Sequence, residues 1–161
     1  MWILIIVAII AVVIGVTIGL KQRGKINELL EEGRMIKRDI SFVETAELFT
    51  LATVSFDGLI EAVKKMDLSG TGVSIDSNST KQALLFKSTG WSAQLYRMEE
   101  DGDKSIYCFS FLNWRTYRGI PQDHIQMNIL LTEIEKAFLR IDPNTQVQTS
   151  KLKLNTKTSF F

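Results

Sequence analysis

Hydrophobic and polar positions divide the chain into stretches of different period. From Trp2 to Leu20 there is no charged side chain and nothing more polar than Thr17. At about 1.5 Å of rise per residue this run makes a helix of about 28 Å, close to the roughly 30 Å hydrocarbon core of a bilayer. It is apolar all round, so it predicts a membrane span rather than a core helix. The next apolar positions recur at helical spacing. Ile26, Leu29, Leu30 and Ile36 sit among charges and predict a juxtamembrane helix over 24–38, weakened by Gly24 and Gly33. Ser41-Phe42-Val43-Glu44 has the form of a capping box, which predicts a helix from there to about Thr53 that buries Phe42, Ala46 and Phe49. A second short helix over 56–66, with Leu59, Ile60 and Val63 inward, is stopped by the Gly-rich run 67–72.

From Val73 the period falls to two. Val73 to Ile75, then 81–88, 91–98 and 104–112, are rich in aromatic and aliphatic side chains and predict an antiparallel meander. Ser88-Thr89-Gly90 and Glu99 to Asp103 make its connections short, and Asp101-Gly102 tolerates a turn with positive φ. In the last of these strands Tyr107, Phe109 and Phe111 share one face while Ile106, Cys108 and Leu112 share the other, so it belongs inside the sheet. After an irregular segment from Asn113 to Pro121, a helix is marked by Met127, Leu130, Leu131, Ile134, Ala137, Phe138 and Ile141 on one face. Asp123 can cap it and Asp142-Pro143 ends it. A polar strand near 145–154, with Leu152 and Leu154 opposite Lys151 and Lys153, suits a sheet edge. The expected fold is α+β: an N-terminal transmembrane helix followed by a small antiparallel sheet with helices packed on one face. Its parts are an anchor at 1–20, a basic juxtamembrane stalk at 21–40, the α+β domain at 41–154 and a tail at 155–161 expected to be disordered.

The flanks of the span give its direction. No Lys or Arg precedes Trp2, and Val16-Thr17-Ile18-Gly19-Leu20 lacks a small-residue cleavage site, so an uncleaved signal-anchor is expected rather than a signal peptide. Lys21, Arg23 and Lys25 follow at once, and between Lys21 and Arg38 six basic residues face three acidic ones. The positive-inside rule then predicts a single-pass protein of the cell membrane, N-terminus outside and C-terminal domain cytoplasmic, with the lipid bilayer as its first partner. A lone Cys108 agrees with a reducing compartment. The formal net charge of +1 averages basic ends with a middle, 39–142, that carries ten basic and fifteen acidic residues. That acidic body gives no support for binding nucleic acid.

Candidate chemistry is sparse. His124 and Cys108 are the only residues of their types and lie in different elements; Cys108 reads as a small core residue and His124 as a solvated or locally bonded one. A zinc site needs three or four ligands that this inventory lacks. Gly70-Thr71-Gly72 misses the later glycine and the Gly-Lys-Ser/Thr ending of a phosphate loop, and Glu99, Glu100, Asp101 and Asp103 do not have the spacing of a calcium loop. Asn78-Ser79-Thr80 fits the glycosylation triplet, which matters only in an exported eukaryotic protein. No catalytic, cofactor-binding or metal-binding residue is assigned, no cofactor is expected, and the chain reads as a non-enzyme.

One segment stands out, Asn113-Trp114-Arg115-Thr116-Tyr117-Arg118-Gly119. Trp114, Arg115, Tyr117 and Arg118 interleave guanidinium and aromatic groups, which stack on and pair with anionic or aromatic partners and recur in interface hot spots. The competing reading has Trp114 and Tyr117 closing the core while both arginines pair with the acidic body.

In layout, an apolar N-terminal helix ahead of an α+β domain, the chain resembles the type IV pilins. At the fifth position, where they carry a glutamate, it has Ile5, and pilin domains lie outside the cell whereas the flank here points inward. Three functional expectations result. The favoured one is a membrane-tethered cytoplasmic interaction or scaffold domain without catalytic activity, holding a protein partner at the membrane. The alternative is a small-molecule or lipid-binding domain with a pocket between the aromatic strand face and the long helix. A pilin-like exported assembly subunit is the third. Oligomeric state has no marker in the chain.

Overall fold

The computed structural model describes residues 20 and 21, 23–98 and 103–152. The predicted anchor, apart from Leu20, lies outside the described residues, as do the predicted tail and most of the acidic turn at 99–103. Among the described residues no helix is long and apolar enough to cross a membrane. The elements are a helix α1 over residues 23–31, a short 3-10 helix Ile40–Glu44, and then β1 (Thr45–Ala52), α2 (Phe56–Lys64), β2 (Ser74–Asn78), β3 (Ala83–Lys87) and β4 (Trp91–Arg97). They continue with β5 (Lys104–Trp114), β6 (Thr116–Tyr117), β7 (Ile120–Pro121), α3 (His124–Ile141) and β8 (Gln146–Lys151).

The chain folds as α+β, around a six-stranded antiparallel sheet of order β2-β3-β4-β5-β1-β8. The meander β2 to β5 follows the predicted alternation, and β5 sits inside the sheet between β4 and β1. Residues 45–52 depart from expectation: they form a strand, not the helix that the capping-box pattern predicts. Ser41 does not cap; its own N–H donates to the Asp39 carboxylate at 2.9 Å, and the Thr45 hydroxyl donates to the Phe42 carbonyl at 2.7 Å, so the helical segment closes after one turn. Beyond it, pairing decides. β1 fills the slot between β5 and β8 and supplies ladder partners to both, which a helix there would leave unpaired. Its sequence also alternates, with Glu47, Phe49 and Leu51 on one face and Ala46, Leu48 and Thr50 on the other.

Helices α2 and α3 cover one face of this sheet. The Ser55 hydroxyl accepts from the Gly58 N–H at 3.1 Å to open α2, which buries Phe56, Leu59 and Val63. The expected face of α3 is buried from Met127 to Phe138, with Ile141 half-buried. Phe138 is the pivot of the core: its ring stacks on Phe49 with centroids 4.3 Å apart and tilts against Tyr107 at 5.4 Å. Phe109 and Phe111 meet edge to face at 5.1 Å. The opposite sheet face carries Leu48, Tyr96 and buried Cys108, but Leu112, expected inside, is 45% exposed because it lies where the β4–β5 register slips. Both sheet edges, β2 and β8, are exposed at every residue.

A third layer lies outside α3. Helix α1 ends at Gly33, earlier than predicted, where the amides of Gly33 and Arg34 turn back to the Leu30 and Leu29 carbonyls at 3.1 and 2.9 Å. Leu29 and Met35 then pack on Ile129, with Leu30 and Ile125 at the margin. The residues before the sheet are thereby folded onto the domain. Because Phe138 fills the space between two strands, Phe138→Ala is expected to lower stability by about 3–5 kcal/mol, read as a fall in the urea midpoint without a change of slope.

Candidate functional site

A groove lies at the end of the sheet where β4 starts and β5 stops. Trp91 opens β4 opposite Trp114 of β5, and the register slips between Ser92 and Ala93. Trp91 is buried with its ring edge-on to Phe111 at 5.8 Å, and Trp114 is half-buried against the same core. The Arg115 N–H donates to the Gly90 carbonyl and the Gln122 N–H to the Arg115 carbonyl, both at 3.0 Å, so the loops on either side are tied together. Between them is a groove of about 830 Å³ lined by residues 87–92, 113–116 and Gln122. That volume lies in the range of ligand pockets, roughly 300–1,000 Å³. Lys87 at its rim is paired with Asp76 at 2.7 Å, whereas Arg115 has no ion pair among the described residues.

Asp123 stands at the N-cap of α3 as expected, yet its side chain bonds no helix amide. Its carboxylate instead lies against Gly90, so close that a Cβ at that position would collide with it. This contact explains the glycine and closes one side of the groove.

The segment expected to be irregular, Asn113 to Pro121, is ordered differently. β5 runs on to Trp114, and β6 and β7 form a separate hairpin with Tyr117 opposite Ile120. Arg118 and Gly119 make its two-residue turn with φ of 51° and 80°, as a type I′ turn requires. Glycine adopts that region freely; for Arg118 it costs about 1–2 kcal/mol. The guanidinium of Arg118 lies over the Tyr117 ring, 5.4 Å from its centroid, and both side chains are exposed. The predicted patch is therefore divided. Trp114 and Arg115 line the groove, while Tyr117 and Arg118 form a projecting tip.

Other candidate groups stay apart. Cys108 faces away from α2 and α3, beside Tyr96, whose hydroxyl is pushed up to about 12 by its hydrogen bond to that thiol and by burial. His124 opens α3 on the other side of the sheet, and its Nδ1 lies 3.0 Å from the Pro121 carbonyl, to which it donates. Thr71 between its two glycines hydrogen-bonds the Leu68 carbonyl at 2.6 Å and shapes a turn. Among the described residues, no group of three or more His, Cys, Asp or Glu is placed to hold a metal ion.

A polar network that nothing in the sequence announces lies between residues 34–38 and α3. Arg38, with its side chain 9% exposed, is ion-paired to Glu135 and donates to Asn128 Oδ1 at 3.0 Å and Thr132 Oγ1 at 3.4 Å. Asn128 Nδ2 in turn donates to the Ile36 carbonyl at 2.8 Å. Arg34 donates to the Ser69 carbonyl at 2.8 Å and pairs with Asp67 at 3.3 Å, and the Asp67 N–H donates to buried Glu133 at 3.2 Å. Glu47 faces this network from β1, between Phe109 and Thr149 of the neighbouring strands. Burial, then the charge of Glu135, raises its carboxyl from 4.5 to about 7, although Arg38 opposes the shift. In the sequence Arg38 was indistinguishable from a membrane-flanking cation, and Glu47 carried no marker at all.

No protein-family model matches the chain, and no curated protein matches it.

A carboxyl held above its unfolded value binds its proton more tightly in the folded chain, so Glu47 favours folding below pH 4.5 and loses that contribution as pH rises towards about 7. Between about pH 5 and about pH 8 the thermal midpoint of the wild type is expected to fall further than that of Glu47→Gln, as followed by circular dichroism. Parallel melting curves for the two proteins would remove the assignment.

Proposed function

We propose that this chain is a membrane-tethered cytoplasmic interaction domain without catalytic activity, and that the groove between the β3–β4 turn and the end of β5 receives its protein partner. The observation that carries this reading is Arg115: an exposed guanidinium with no ion pair among the described residues, on a concave surface beside Trp114. Hydroxyls of Ser88, Thr89, Ser92 and Thr116 and the amides of Asn113 and Gln122 line the rest, with Lys87 at the rim and the Asp123 carboxylate beside Gly90. An exposed arginine free of an ion pair fits an acidic segment, and arginine beside tryptophan is a frequent anchor of interfaces. Support for the tether comes from the uncharged run before Lys21 and the basic flank after it. The docking of residues 29–38 on α3 gives such a tether a fixed attachment to the domain.

Against the pocket reading stands the packing between the aromatic strand face and α3. Phe138 against Phe49 and Tyr107, with Met127 and Leu130 fully buried, fills that interval with side chains. The groove lies elsewhere, at the sheet end.

Two experiments test the reading. A photo-crosslinker at Thr89 in the full chain, expressed in its own cells, is expected to give one discrete adduct that Arg115→Glu abolishes, while the same probe at Asn144 gives none. Equal labelling from both positions, or none from Thr89, would sink the groove assignment. A reporter that works only outside the cytoplasm, fused after Phe161, is expected to be silent; strong activity would reverse the orientation and with it the localisation.

A further inference from the structure

Residues 36–44 and 116–121 meet at the end of the domain where the tether joins it, since the 3-10 helix packs against β7. We propose that this end is a second membrane contact, in which the tip of the β6–β7 hairpin rests on an anionic bilayer surface. Tyr117 and Ile120 enter the interfacial layer, and Arg118 meets lipid phosphates. The inference rests on the tethered reading and adds to it the face that the domain turns towards the lipid.

Position is the first argument. Helix α1 reaches the body at Leu29, which packs with Ile125 and Ile129 in the first two turns of α3, and those turns follow the hairpin directly in the chain. From Arg23 to Leu29 the helical rise is about 9 Å, which keeps that end of the domain near the headgroups. Exposure is the second. Tyr117 is 62% exposed and Ile120 53%, and Ile36 and Ile40 on the adjoining segment are 46% and 40% exposed. Large apolar groups left in water in two touching segments mark a surface that is covered in use.

Charge is the third. The exposed cations here are Lys37, Arg115 and Arg118, against Asp39, Glu44 and half-buried Asp123. The hairpin itself carries no acid. Arg118 is held in the left-handed region over the Tyr117 ring, so the tip presents a ring and a guanidinium together. That pair suits an interface whose inner side is apolar and whose outer side is phosphate. A protein surface would accept the same pair; adjacency to the tether favours the bilayer.

The test places a nitroxide on the hairpin of the full chain. Thr116→Cys is exposed and labels with the buried Cys108 left in place, and Asn144→Cys, in the turn after α3, is the distal reference. In phosphatidylcholine vesicles with one third phosphatidylglycerol, the probe at 116 is expected to be severalfold less accessible to an aqueous nickel relaxant than the probe at 144. The difference is expected to shrink in pure phosphatidylcholine and for Arg118→Gln, and to vanish for Tyr117→Ser with Ile120→Ser. Equal accessibility at both sites in the anionic vesicles would overturn the proposal, as would protection that appears only when cell protein is added. Resistance to alkaline carbonate reads the anchor separately, and the nitroxide result decides the hairpin whichever way that extraction falls.

Discussion

Arg38 lies among Asn128, Thr132 and Glu135 on the flank of α3 that Glu47 of β1 faces, and the arrangement of the domain depends on that contact. The helix has a fully apolar face against Phe49 and Tyr107, and an opposite face where Asn128, Thr132 and Glu133 are equally shut off from water. Buried amides, hydroxyls and carboxylates are tolerated only when each finds a partner. Arg38, the Ile36 carbonyl, the Asp67 amide and Lys136 supply those partners. Losing one member of so buried a pair typically costs about 3–5 kcal/mol, because the other charge stays behind. Residues 29–38 are thus a structural layer of the domain, and the helix they cover could not remain as it is without them.

That layer also orders the surface. By running along α3 from Ile129 towards Glu135, the segment enters at the end of the sheet where the groove and the hairpin lie. Asp103 before β5 and Asp142 after α3 belong to the opposite end, where they meet Thr53 and Ala52. Arg115 and Arg118 are therefore gathered at the end where residues 29–38 join the domain, beside Asp39, Glu44 and Asp123.

Much of this was legible in the residues. The meander, the long helix and the polar edge strand follow from periods of two and 3.6, because those elements bury one face each. Residues 45–52 misled because alternation over Ala46 to Leu51 is short and overlaps helical spacing, and a capping-box pattern preceded it; the slot between β5 and β8 exists only in three dimensions. Trp114 and Arg115 could be singled out as unusual, but the groove also needs Gly90, Gln122 and the β3–β4 turn, which the sheet brings together from distant positions. Arg38 and Glu47 were invisible for a related reason. A charged side chain in a sequence defaults to solvent, and only the layer packed over α3 puts these two inside.

Both margins of the sheet are hydrophilic strands, Ser-Ile-Asp-Ser-Asn on one side and Gln-Val-Gln-Thr-Ser-Lys on the other. An open margin invites a neighbouring chain to extend the ladder, and confinement to a surface multiplies such encounters. Here there is little apolar area to gain by zipping two sheets together, and Lys151 and Asp76 would be stripped of water in the attempt. The hydrophilic side chains along both margins therefore disfavour extension of the ladder by a second copy.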